Sequence, residues 1–174
     1  MKYIFTFFIS LISLSPFAQQ PIETVVFKQA NYQIEYPASW RVDTSKAMGT
    51  SFILYVPESE MSENFNENIN MMIQDLTGQN IDLEKYKEIT DDQFKMLGED
   101  CTVVESAVHT AGPTSFYKTV YSIRQENDII HASSVCYIQD NNAYLLTFTA
   151  IGNSITRWKD IAEKTMLSFK LFQQ

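Results

Sequence analysis

Residues 102–150 read TVVESAVHTAGPTSFYKTVYSIRQENDIIHASSVCYIQDNNAYLLTFTA, four runs rich in β-branched and aromatic residues broken by Gly112-Pro113, Asn127-Asp128 and Asn141-Asn142. Each pair is turn-forming: Gly and Asn tolerate the left-handed backbone that tight hairpins need, and Pro fixes a turn φ. The runs Thr102–Thr110, Phe116–Gln125, Ile129–Gln139 and Ala143–Ala150 therefore predict a four-strand antiparallel meander.

Two-residue hairpins fix a register. Ala111 pairs with Thr114, so His109 faces Phe116; Glu126 pairs with Ile129, so His131 faces Arg124 and Cys136 faces Thr119. The two histidines then lie about eight residues apart along the middle strand, ~26 Å at ~3.3 Å per residue, too far to share a metal. Cys101 falls opposite about Arg124, far from Cys136 along and across the strands. A disulfide needs Cα atoms within about 7 Å, so two free thiols are expected even in an exported chain, where two cysteines invite a bridge. Cys136 shares a strand face with Ile130, Ala132 and Ile138 and reads as a small core residue.

Upstream, Val25–Lys28 and Tyr32–Tyr36 read as two strands, the second ended by Pro37, which cannot donate to a ladder. Trp40 reads as a core anchor, Ser51–Val56 as an apolar strand stopped by Pro57, and Ile69, Met71 and Ile73 alternate with polar or flexible neighbours as a half-buried strand does. Two segments change period. Asp82–Leu97 carries Leu83, Tyr86, Ile89, Phe94 and Leu97 on one helical face, with Asp82 as N-cap and Gly98 just past the end. A last helix, capped by Asn153 or Ser154, presents Ile155, Trp158, Ile161, Thr165 and Phe169. The class is α+β: an antiparallel sheet of about six to eight strands, including the C-terminal four-strand meander, flanked by two main helices.

The first residues read as an address. Lys2 precedes an uncharged stretch, Ile4–Leu14, followed by Pro16 and the small Ala18, the pattern of a cleaved secretory signal. A single domain, 19–174, is expected behind it, periplasmic or extracellular and with no further membrane-spanning segment. The net charge of -8 excludes a nucleic-acid partner, which demands clustered Lys and Arg. A hydrophobic fraction of 45% suffices for a packed core.

No catalytic, metal or cofactor signature emerges. Ser106 with His109, and His131 with Ser133, are close Ser–His pairs in the meander, and no nucleophile elbow or phosphate-binding glycine pattern accompanies them. The loop Glu58, Glu60, Glu63, Asn64, Asn66, Glu67, Asn68 offers oxygen ligands for calcium but lacks the spacing of a calcium loop; alternatively its asparagines satisfy backbone where a strand begins. Tyr117, Tyr121, Tyr137 and Tyr144 lie on neighbouring strands as a possible ligand or partner surface, against the alternative that they are core.

Four motifs carry a family resemblance: Tyr32-x-Ile34-x-Tyr36-Pro37-x-Ser39-Trp40, Phe65-Asn66-Glu67-Asn68-Ile69-Asn70, Asp82-Leu83-x-x-Tyr86 and Tyr144-x-Leu146-Thr147-x-Thr149-Ala150. Their order and spacing resemble the PsbP-like and DcrB-like proteins, and the non-photosynthetic, DcrB-like envelope proteins are the nearer comparison. The resemblance implies an antiparallel sheet flanked by helices and usually no enzymatic activity. Its members range from extrinsic photosystem II subunits to a Ran-binding import factor and bacterial envelope proteins, so no single role carries over. The expectation is a non-catalytic binding or accessory module of the envelope, serving a protein partner or a small apolar ligand. A hydrolase with an unrecognised site is the alternative.

Overall fold

The computed structural model describes residues 22–61, 65–126 and 128–172; the expected signal segment, Glu63 and Asn64 lie outside them. The chain is α+β, and every strand pair is antiparallel. In order come β1 (Thr24–Lys28), β2 (Tyr32–Pro37), β3 (Arg41–Asp43), β4 (Phe52–Tyr55), β5 (Asn68–Asp75), α1 (Leu83–Met96), β6 (Cys101–Ala111), β7 (Thr114–Gln125), β8 (Asp128–Gln139), β9 (Asn142–Ile151), α2 (Ser154–Leu167) and β10 (Lys170–Leu171).

The meander forms as expected, and β9 joins it to the earlier strands in a seven-stranded sheet ordered β3-β4-β5-β9-β8-β7-β6. A second sheet, not foreseen in the sequence, holds β1, β2 and β10. The strands β3 and β10, at 3 and 2 residues, are too short to leave a periodic signal.

The first hairpin has the expected register, with Ala111 opposite Thr114 and His109 opposite Phe116. The second departs from it. Gln125 pairs with Asp128, so His131 faces Ser122 rather than Arg124, and Cys136 faces Tyr117 rather than Thr119. The physical reason is the turn: Glu126 itself takes a left-handed φ of 54°, starting the reversal one residue before the asparagine that the sequence favoured. In the third hairpin the left-handed pair is Asp140-Asn141 (φ 52° and 56°), giving Gln139 opposite Asn142. A bulge between Val103 and Glu105 sets Cys101 opposite Ile123. Cys101 and Cys136 thus point to partners about six residues apart on β7, ~20 Å, and both are free.

The sheet's two faces are covered very differently. One carries α2 and the small sheet over a large core that includes Trp40, Phe52, Ile69, Tyr137, Phe148, Trp158 and Met166. Trp40 and Trp158 meet edge to face with centroids 5.7 Å apart. Alternation makes this possible: Ile69 and Met71 of β5, and Leu146 and Phe148 of β9, are fully buried at every second position. Burying one large apolar side chain stabilises the fold by about 1.5–3 kcal/mol, and α2 contributes Trp158, Ala162, Thr165 and Met166 at buried positions.

The opposite face has a small cluster of Leu76, Tyr117, Cys136 and Ala143, against which Leu83 and Tyr86 of α1 pack. Asp82 caps α1 as expected, accepting from the Lys85 N–H at 2.8 Å, and Gly98 follows with φ 63°, a value that costs glycine least. Yet α1 has no fully buried residue. Ile89 and Leu97, expected on its inner stripe, are exposed. The helix seats only part of its apolar face on the sheet.

Candidate functional site

Between α1 and the sheet lies a cavity of about 200 Å³. Its floor is built by alternation. Tyr117, Thr119 and Tyr121 of β7 point the same way as Ser134 and Cys136 of β8 and Leu145 and Thr147 of β9. The register aligns them in cross-strand rows: Tyr117 pairs with Cys136 and Cys136 with Leu145, while Thr119 pairs with Ser134 and Ser134 with Thr147. The second row is three hydroxyls side by side. The roof is one helical face, Tyr86, Thr90 and Phe94 at successive i,i+4 positions, with Gln93 beside them.

The lining bears no Asp, Glu, Lys, Arg or His. Burial pushes the Cys136 thiol up to about 12, against a smaller opposite pull from the Tyr86 hydroxyl. Burial likewise raises the Tyr121 hydroxyl, with Ser134 acting the other way. Tyr86 is raised by burial and then by the neighbouring Cys136. At neutral pH the cavity is therefore lined by uncharged groups. Ser134 and Thr147 hydrogen-bond each other at 3.0 Å, and Tyr86 donates to the Gln74 amide oxygen at 2.8 Å. Thr119, only 2% exposed as a residue, faces this space, and its hydroxyl is open to the cavity with no hydrogen bond among the described residues. Phe94 and Tyr121 form a wall, with centroids 4.7 Å apart.

A polar tether holds α1 down at one edge. Ser106 of β6 donates to Asp91 at 2.5 Å and lies 3.0 Å from the Tyr117 hydroxyl, while Lys87 pairs with Asp91 at 2.6 Å. Burial alone would raise the Asp91 carboxyl, but the bonds from Lys87 and Ser106 outweigh it and hold it below the usual range.

The four tyrosines singled out in the sequence do not share one surface. Tyr117 and Tyr121 line the cavity. Tyr137 and Tyr144 lie in the main core on the other face, with Tyr137 against Phe116 and Phe169 and burial pushing its hydroxyl up to about 12. Three of the four are buried, Tyr121 partly so.

Ser106 and His109 are separated by the sheet: Ser106 faces α1, while His109 stacks on Phe116 and meets Glu105 at 2.7 Å. In the acidic loop, Glu60 pairs with Arg157, and Glu67 is fully buried. Asn68 donates to the Asn66 carbonyl at 2.7 Å and to Thr149 at 3.3 Å, the backbone-satisfying role weighed against calcium. Among the described residues no three His, Cys, Asp or Glu side chains converge as a metal requires.

Sequence reasoning missed Thr119, Ser134 and Thr147. Strand alternation placed all three on the Tyr117 face, and three hydroxyls on the inward face of adjacent strands were the available signal.

A helix on each face of an open antiparallel sheet, with a small N-terminal sheet beside one of them, defines an α+β scaffold. The fold is PsbP-like. The chain is similar to the cyanobacterial PsbP protein of Synechocystis sp. PCC 6803 (TM-score 0.67, 12% identity, 93% of this chain and 99% of that one). It is also similar to LpqN of Mycobacterium tuberculosis, a protein involved in cell envelope biogenesis (TM-score 0.61, 15% identity, 87% and 91%). A protein of unknown function from Pseudomonas aeruginosa matches at TM-score 0.60, 9% identity, 87% and 99%. No family model and no curated protein sequence matches the chain. Identities this low establish the fold alone.

Proposed function

We propose that this chain is a non-catalytic accessory module of the cell envelope, exported by the signal at residues 1–18, which acts by holding a small molecule beneath α1. The observation that carries the reading is the roofed, uncharged cavity whose floor presents an open hydroxyl, that of Thr119, with no hydrogen-bond partner among the described residues. Small-molecule sites are concave and combine apolar and aromatic walls with a few placed polar groups. The lining departs from the small apolar ligand expected from sequence, since hydroxyl and amide groups make up much of it. The likeness to LpqN and the signal pattern support an envelope setting.

The test is to purify the chain from the envelope fraction, denature it and identify released small molecules by mass spectrometry. A stoichiometric compound should appear with the wild type and be lost in Thr147→Phe, which fills the cavity. Release of nothing, or equal release by the filled variant, overturns the reading. A protein-partner reading draws on Met96, Leu97, Val103 and Val104, exposed together where α1 ends and β6 begins; Val104→Asp abolishing a defined complex, with Thr147→Phe leaving it intact, would favour that reading instead.

A further inference from the structure

Resting on the cavity-binding role, we infer that the ligand is a single uncharged ring carrying a hydrogen-bonding substituent. Size sets the first limit. A cavity of about 150 Å³ lined by Leu, Ile and Phe admits one benzene ring and stays otherwise dry; the space here, about 200 Å³, holds one six-membered ring and a short substituent.

Charge sets the second. Burying an unpaired ionised group is strongly unfavourable, and no lining residue carries a countercharge. The Asp91 carboxylate is already occupied by Lys87 and Ser106, so it offers nothing to a cationic ligand.

Polarity sets the third. Thr119 is 2% exposed, and what it exposes includes its hydroxyl, open to the cavity and without a hydrogen bond among the described residues, while Ser134 and Thr147 beside it are bonded to each other and keep acceptor capacity to spare. A purely apolar ring would cover this row without satisfying it. A ring bearing a hydroxyl or amide answers it, at a gain of about fivefold to tenfold in affinity for one well-formed bond. Phe94 and Tyr121, tilted 50° to one another, supply aromatic surface for the ring to pack against.

Benzyl alcohol, toluene and benzoate separate these limits, because they share a ring and differ in the substituent. Titrated into the nitrogen-15-labelled chain, benzyl alcohol is expected to shift amides of α1 and of Thr119, Ser134 and Thr147, and to bind at least fivefold more tightly than toluene or benzoate. Thr119→Val should remove most of that preference and leave toluene binding unchanged, and Thr119→Ser should retain it. Toluene or benzoate binding as well as the alcohol overturns the inference. So does a preference that Thr119→Val leaves intact. If none of the three binds while the compound released from the envelope-purified chain is still lost in Thr147→Phe, the ring class fails and the binding role stands. If that compound is not lost either, both fail.

Discussion

Removing the Ser106 hydroxyl should free α1 without unfolding the molecule. Ser106→Ala deletes the bond to Asp91 and the contact with the Tyr117 hydroxyl, while Lys87 still pairs with Asp91, so no charge is orphaned. A hydrogen bond to an ionised group contributes about 1.5–3 kcal/mol. With the Asp91 side chain 26% exposed, solvent competes and the lower end applies, about 1.5 kcal/mol, roughly a twelvefold change in an opening equilibrium. The loss falls locally because α1 has no fully buried residue, whereas β8 and β9 carry the main core. Helices held this way open at lower free energy than the strands beneath them. Native-state amide exchange should show α1 protection falling about tenfold, with β8 and β9 amides little changed. Equal loss in helix and sheet would mean that the tether supports the whole fold. A change under about twofold in α1 would mean that apolar contact through Leu83, Tyr86 and Phe94 holds the helix unaided.

Trp158 is buried and its indole N–H has no acceptor among the described residues, a cost of about 1–3 kcal/mol. Trp158→Phe removes that donor while giving up some packing, so urea denaturation should place it within about 1 kcal/mol of wild type, against about 3–5 kcal/mol lost in Trp158→Ala; a Phe variant as damaged as the Ala variant would refute the balance. At the sheet edge, burial alone would raise the Glu105 carboxyl, but Lys118 and His109 hold it below its ordinary 4.5. Its stabilisation is therefore complete above that value and lost as pH falls through the depressed folded one. Lys118→Met should flatten the acid limb of the stability profile, and a parallel limb in the variant would contradict this. A thiol reagent at pH 8 should modify Cys101 alone in the native chain, slowly because burial raises its thiol too, and Cys136 only in denaturant; equal native rates would contradict the burial of Cys136.

Period and turn chemistry made much of the fold legible. The alternation in β5 and β9 and the Gly112-Pro113 turn gave strands and one register correctly. The β7–β8 register slipped because Glu126, one residue before the expected turn pair, took a left-handed position. A slip of two residues preserves which way each side chain points, so Cys136 was still read as a buried residue and Thr119, Ser134 and Thr147 still lay on one face. What alternation cannot say is what covers each face. That Tyr137 meets Phe169 of the chain end, and Tyr121 meets Phe94 of α1, depends on where the helices dock, and docking leaves no local mark. The second sheet escaped for the same reason: β10 exists only because the segment after α2 returns to Tyr32 and Gln33.

The unequal covering of the two faces has a consequence for how such a chain can diverge. The residues of the main core sit under α2, and those that line the cavity sit under α1, on opposite sides of one sheet. The two sets alternate along the same strands, Cys136 between Val135 and Tyr137 and Thr147 between Leu146 and Phe148, so their side chains point to opposite faces and share the backbone more than side-chain contacts. Under the proposed binding role, selection can rework specificity beneath α1 while the other face conserves the architecture. A lineage built this way should keep its shape long after its binding preferences, and most of its sequence identity, have drifted apart.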